Sequence, residues 1–169
     1  MPYDEGWSCH NGAPWGPSCE NGSVVDFMNA EQRSAHMAKI RSKDTKPELW
    51  LRRQLHRMGY RYRLHDPKLP GRPDLVFPSR RKVIFVNGCF WHGHECPVGS
   101  RLPKSNTEFW AAKRKRNRER DAIQQEQLRT TGWIVLVVWE CEIDACQSLL
   151  ENVIEFLDGE PAGKALSPV

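Results

Sequence analysis

The 169-residue sequence contains no apolar run long enough to cross a bilayer, which needs roughly 18 residues; the longest, Trp133 to Trp139, is the length of a strand. It lacks a basic amino-terminal stretch followed by an apolar one, so no secretory leader is expected and the cytoplasm is the default compartment. There is no Lys or Arg among the first 32 residues and a single Lys from residue 130 onward. No internal repeat is apparent. With 39% hydrophobic and 27% charged residues, the composition is that of an ordinary globular chain. A length of 169 residues suits one core-bearing domain with tails.

What is present is a concentration of positive charge. Residues 33–129 hold 24 basic and nine acidic side chains, a balance of +15, between flanks of −5 (residues 1–32) and −6 (residues 130–169). Such a segment repels itself unless a polyanion lies against it, and nucleic acid is the commonest such partner. Six cysteines in a reducing compartment point to metal ligands or buried thiols rather than disulfides.

Residues 1–32, rich in Gly and Pro, read as a flexible acidic tail; Cys9, His10 and Cys19 within it fit an incidental group better than half a metal site. A short basic helix is expected over Arg33–Arg41, with Met37 and Ile40 on one side. Thr45-Lys46-Pro47-Glu48 opens a second helix as a capping box, with Leu51, Leu55 and Met58 as its buried stripe and Gly59 as its stop. Tyr60–Leu64 alternates like a strand, Asp74–Phe77 is a short strand, and Lys82–Val86 is a buried one joined to it by a hairpin through 78–81. A Cys/His-rich loop follows. Thr107–Thr130 is a long helix with a basic middle, Trp133–Trp139 a core strand, and Asp144–Leu157 an amphipathic helix burying Cys146, Leu149, Leu150, Val153 and Phe156. This order predicts an α/β layer with a mixed sheet.

Three constellations carry chemistry. Cys89-x4-His94-x-Cys96, with Cys141 at the end of the next strand, supplies three thiolates and an imidazole, a closed tetrahedral set suited to structural zinc. Buried thiols account for the same spacing equally well, and spacing does not decide between His92 and His94. Asp74 precedes a strand whose neighbour could offer a main-chain carbonyl, a hard-oxygen pair that suits Mg²⁺; a simple turn residue after Pro73 is the alternative. Phe90, Trp91, Phe109 and Trp110 exceed what a loop poor in apolar residues can bury, and exposed rings beside a basic run stack on or wedge between bases; for at least one of Phe109 and Trp110, core packing on an amphipathic helix is the competing reading.

Gly71-Arg72-Pro73-Asp74, Val86 through His92, Thr107-Glu108-Phe109-Trp110, Lys113 to Asn117, and Gly132-Trp133 through Val138-Trp139-Glu140-Cys141 together resemble the very-short-patch mismatch repair endonucleases, in order and spacing, over about residues 33–158. The resemblance implies a restriction-endonuclease-like α/β fold, a mixed central sheet flanked by helices, with a structural zinc site. It implies an endonuclease domain at 33–158, with a tail at 159–169. The implied activity is a Mg²⁺-dependent nick 5′ to the thymine of a T·G mismatch left by deamination of 5-methylcytosine. By resemblance, Asp74 and the Val86 carbonyl hold Mg²⁺, His92 is the general base, and Glu48 is the acid near the water that the ion holds. Cys89, His94, Cys96 and Cys141 become the zinc ligands. Phe90, Trp91 and Trp110 enter the mismatch from one groove and Met37 from the other, while Lys113, Arg116, Asn117 and Arg120 meet phosphates. One nick needs one site, so a monomer acting on double-stranded DNA is expected, with downstream repair proteins following. Two departures matter: Asn87 stands where some members carry a second active-site histidine, and the Glu-x-Lys common in restriction folds is absent. The alternatives are a restriction- or modification-associated relative with other recognition, and a zinc-stapled DNA-binding module without catalysis.

Overall fold

The computed structural model describes residues 43–104 and 106–159. The expected tail at 1–32, the helix at 33–41 with Met37, and the tail from 160 onward lie outside the described residues.

Helix α1 spans Lys46–Arg57. Pro47 sits in its first turn, where no amide hydrogen is needed, and the Thr45 N–H donates to Glu48 Oε2 at 3.4 Å, the Glu48 arm of the expected box. Trp50, Leu51 and Leu55 are buried, whereas Met58 is exposed at the helix end. The chain turns away at Gly59, so Met58 no longer follows the helical stripe.

Four strands follow: β1 (Arg63–Leu64), β2 (Leu75–Phe77), β3 (Lys82–Asn87) and β4 (Ile134–Trp139). They lie in the order β1-β2-β3-β4, antiparallel except for the parallel pair β3–β4. The sheet is therefore mixed, as expected, although β1 is two residues rather than the five that the alternation of Tyr60–Leu64 suggests. The expected hairpin joins β2 to β3 through a 3-10 turn at Pro78–Arg80, with Arg81 in the left-handed region at φ 54°.

Past β3, the expected loop begins with a one-turn helix, α2 (Cys89–His92). Helix α3 spans Thr107–Thr130 and crosses back to β4; a 3-10 segment at Glu140–Ala145 leads to α4 (Cys146–Asp158). The period of two along the strands distributes side chains between two cores. Leu75, Phe77, Ile84 and Val138 join Leu51, Leu55, Leu149, Val153 and Leu157, and thus bury α1 and α4 on one face. Val76 and Val83 meet Leu128 of α3 on the other. Lys82, itself buried, caps the last turn of α4 by donating from Nζ to the Leu157 carbonyl at 3.1 Å, beside Arg80 Nη1 at 2.9 Å. Leu55→Ala, at a fully buried position, is expected to cost about 2–5 kcal/mol in urea unfolding. A loss under about 1 kcal/mol would mean that α1 is not packed as described.

Candidate active site

Strand register gathers the chemistry at one end of the sheet. Because β3 and β4 run parallel with Asn87 opposite Trp139, Cys89 and Cys141 each fall two residues beyond the paired ends. Because Leu64 is opposite Leu75, the next residues outward, His65 and Asp74, also come together, and Leu75 opposite Ile84 brings Asp74 to the carboxyl end of β3. Gly71 permits this approach: at φ +74° any Cβ there would meet Gln124 Oε1 at 2.8 Å and the Phe85 ring at 3.2 Å.

Asp74 Oδ2 accepts the Val86 N–H at 2.7 Å. In an extended strand a residue's N–H and C=O face the same edge, so the Val86 carbonyl is directed to the edge that carries Asp74, beyond the point where β2 begins. Burial pushes the Asp74 carboxyl above the usual range, offset in part by the Val86 N–H, His65 and Arg52. A carboxylate beside a carbonyl is a hard-oxygen pair that fits a small divalent cation. Glu48 is 2% exposed and bonded to Arg52, so it stands behind this edge rather than in solvent.

His92, in α2, points Nδ1 at Asp121 Oδ2 of α3 and does not join the sulfur atoms. An imidazole donating Nδ1–H to a carboxylate keeps Nε2 free to accept a proton and stabilises the imidazolium that results. Gly93, left-handed at φ +62°, turns the chain between the two histidines, and His94 joins the sulfur atoms that His92 does not. Its Nδ1 is 3.4 Å from Cys141 Sγ, and its ring stacks on Trp139 with centroids 4.3 Å apart.

One ligating atom from each of Cys89, His94, Cys96 and Cys141 lies within 4.8 Å of the others. A Zn–S bond of about 2.3 Å puts tetrahedral sulfur atoms about 3.8 Å apart, so small side-chain shifts would close this set on one ion. Burial pushes the Cys89 thiol up to about 12. Burial would raise Cys96 as well, but hydrogen bonds from the Gly99 N–H, His94 and Cys89 outweigh it and bring that thiol down to about 6. Soft sulfur donors with no hard oxygen among them suit zinc better than Mg²⁺.

The rings converge on α2. Phe90 is 5.2 Å from Trp91 and 5.3 Å from Trp110 between centroids, Trp91 is 5.9 Å from Trp110, and Phe109, 54% exposed, edges onto Trp110 at 5.4 Å. Lys113 Nζ lies 5.4 Å from the centres of both Trp91 and Trp110. None of these four rings is buried, in keeping with the expectation that the loop could not cover them.

A family model described as DNA mismatch endonuclease Vsr matches residues 25–98. Type II nicking enzyme V.XorIIP of Xanthomonas oryzae pv. oryzae is 47% identical over 135 residues, covering 78% of this chain and 98% of the relative. The chain belongs to the Vsr endonuclease family. DNA mismatch endonuclease Vsr of Escherichia coli is 38% identical over 144 residues, covering 82% of this chain and 92% of the relative. Type II nicking enzyme V.NmeAIP of Neisseria meningitidis is 45% identical over 134 residues, covering 78% and 95%. The protein is accordingly a DNA endonuclease of the Vsr family, and among its described residues no helix is long and apolar enough to cross a membrane.

In this Vsr-family chain the structure brings Asp74 to Val86, groups the four Cys/His residues, and clusters Phe90, Trp91 and Trp110. The basic helix is less uniform than its sequence suggests. Arg114 turns inward, donating to the carbonyls of Gly99 at 2.9 Å and Arg101 at 2.6 Å with its guanidinium over Phe90. Asn117 donates to the Trp91 carbonyl at 2.9 Å and so braces the ring cluster. Arg116 and Arg120 are exposed.

Four residues of the site escaped sequence reasoning: Arg52, His65, Asp121 and Trp139. Asp121 did leave a signal. It follows Trp110, Lys113 and Asn117 at helical spacing on one face of α3, an acid at the end of a basic run. Asp121→Asn is expected to slow nicking roughly 10²–10⁴-fold, by releasing the imidazole from its tautomer and orientation. His92→Ala should lower the same step while leaving the metal content of the cysteine cluster unchanged. Rapid-quench kinetics with elemental analysis checks both; loss of one zinc equivalent in His92→Ala would make His92 a ligand instead.

Proposed function

We propose that this endonuclease nicks one strand of duplex DNA 5′ to the thymine of a T·G mismatch, the lesion left when 5-methylcytosine deaminates, and so opens very short patch repair. The observation that carries this reading is the sharing of one short helix: Phe90 and Trp91 of the half-buried ring cluster and the Asp121-held His92 all belong to α2. Whatever the rings engage therefore lies next to the imidazole. A wobble pair is stacked less well than a normal pair, so inserting rings beside it costs less than the few kcal/mol per step of intact duplex. Deformation energy then selects the lesion, and base-edge contacts add sequence preference. Lys113, Arg116, Asn117 and Arg120 of α3 are assigned to the phosphates, with Met37 as the probe from the minor groove.

In the reaction, His92 takes the proton of the attacking water, whose oxygen bonds to phosphorus as a P–O bond to a sugar oxygen breaks; that oxygen leaves with the bonding pair and takes a proton from solvent water. Asp121 holds the imidazole for this task, and Glu48 lies behind the Asp74 edge. Mg²⁺ held by Asp74 and the Val86 carbonyl would supply positive charge at the scissile phosphate. Zinc on Cys89, His94, Cys96 and Cys141 would staple the 88–106 segment to the sheet ends, a structural role in which no ligand position is left for substrate. The mixed sheet with helices on both faces supports reading 33–158 as a restriction-endonuclease-like domain. Action as a monomer in the cytoplasm is part of the proposal.

A second reading has its own support. Relatives at 45% and 47% identity are named Type II nicking enzymes, which favours a restriction- or modification-associated endonuclease with different recognition. Duplexes identical except for T·G against T·A at one position, incubated with Mg²⁺, test the proposal. Nicking of the T·G duplex alone is expected. Equal cutting of both would exclude mismatch repair, and no cutting of either would leave a binding module.

A further inference from the structure

Among the described residues a second group brings metal-ligating atoms within 4.8 Å of one another: Asp44, Glu48 and His65. It adjoins Asp74 through His65, whose Nδ1 lies 3.6 Å from Asp74 Oδ1 while Nε2 lies 3.1 Å from Glu48 Oε1. By donor type alone, two carboxylates and an imidazole next to a candidate Mg²⁺ ligand look like the second half of a two-ion phosphodiesterase centre. The space among them is filled by Arg52. Its Nη1 is 2.5 Å from Asp44 Oδ1, and its Nη2 is bonded to Glu48 Oε1 and 2.8 Å from His65 Nε2. One guanidinium thus touches all three would-be ligands.

We propose that Arg52 is a built-in substitute for a second divalent ion, so that this centre takes one ion, at Asp74, beside a fixed positive charge. The proposal rests on the reading of Asp74 as the ion's ligand. Three features hold the cation in place. Guanidinium does not lose its proton in proteins, so its charge is permanent. Arg52 follows Glu48 by four residues on α1, which puts both on one helix face without any tertiary adjustment. Both are buried, and swinging the arginine out would leave Glu48 as an unpaired interior charge, which proteins tolerate poorly. A divalent ion entering the trio would meet that guanidinium within contact distance and find the Glu48 oxygen already taken. His65, left-handed at φ 45°, is held in a conformation uncommon for a non-glycine residue, between Arg52 and Glu48 on one side and Asp74 on the other. It spaces the resident charge from the Asp74 carboxylate.

Counting bound Mn²⁺ by electron paramagnetic resonance, on full-length protein whose cysteine cluster is already zinc-loaded, tests this without any measurement of nicking. The unmodified protein should bind one Mn²⁺ per chain, lost in Asp74→Ala. Arg52→Gln, shorter and neutral, should gain a second Mn²⁺, and adding Glu48→Gln should return the count to one. Arg52→Lys, which keeps the charge, should stay at one. A second ion in the unmodified protein that Glu48→Gln removes would overturn the proposal and leave the Asp74 reading standing. So would a second ion in Arg52→Lys, or a count of one in Arg52→Gln that circular dichroism shows to be folded. Should Arg52→Gln fail to fold, the counts for the unmodified protein and Arg52→Lys decide alone. Retention of the Mn²⁺ in Asp74→Ala would instead reject the Asp74 reading beneath the proposal.

Discussion

Asp74→Asn is expected to reduce Mg²⁺-dependent nicking of a T·G duplex by at least about 10³-fold, equivalent to about 4 kcal/mol of transition-state stabilisation, with binding of the duplex retained. Asparagine is the informative replacement because its side-chain oxygen can still accept the Val86 N–H that Asp74 accepts at 2.7 Å. The end of the sheet therefore keeps its shape, and what disappears is the negative charge that draws a divalent ion. Burial already pushes the native carboxyl above its ordinary range. An ion bound there must displace a proton more often than at an exposed aspartate, so the Mg²⁺ concentration for half-maximal rate should fall as pH rises through that range. Gel-shift binding and single-turnover nicking on the same duplex separate the two effects. Nicking within tenfold of the unmodified rate would remove Asp74 from the centre.

Cys141→Ser is expected to release one zinc equivalent and to lower the melting temperature by roughly 10 °C. Structural zinc contributes about 10–16 kcal/mol of binding free energy in small zinc peptides, and losing even about 4 kcal/mol of it would move Tm by roughly 8–16 °C in a domain of this size. The effect should be large because Cys141 lies just beyond β4 while Cys89, His94 and Cys96 follow β3. Removing this one sulfur would untie the 88–106 segment from the second strand. A chelator should reproduce the loss in the unmodified protein and add little to the variant. Zinc uptake must remove the proton from the Cys89 thiol, pushed up to about 12, so metal affinity should weaken as pH falls. Unaltered melting and zinc content in Cys141→Ser would reject the staple.

The long helix was legible because its signals are local: Thr107 opens it, charged residues fill it and Gly132 ends it, and α3 ends at Thr130. The pairing of β2 with β3 was legible from four turn residues between two apolar runs. Residues that meet across long sequence gaps were legible only in part. Cys96 and Cys141 are 45 residues apart, yet the place of Cys141 at a strand end put it in the candidate set, and the parallel register of β3 with β4 brings it there. Arg52, His65 and Asp74 meet only when the β1–β2 register and the face of α1 are both known. The inward turn of Arg114 was hidden for a related reason: in a row of basic residues, nothing local marks the one that reaches the carbonyls of Gly99 and Arg101. The one-turn helix α2 was hidden because four residues are too few to show a period.

Mapping the cut at nucleotide resolution, on both strands of one end-labelled T·G duplex with Mg²⁺, tests the central claim most directly. The account predicts a single break in the thymine strand, immediately 5′ to the mismatched T, with the guanine strand intact. Breaks in both strands, or a break whose position ignores the mismatch, would contradict it.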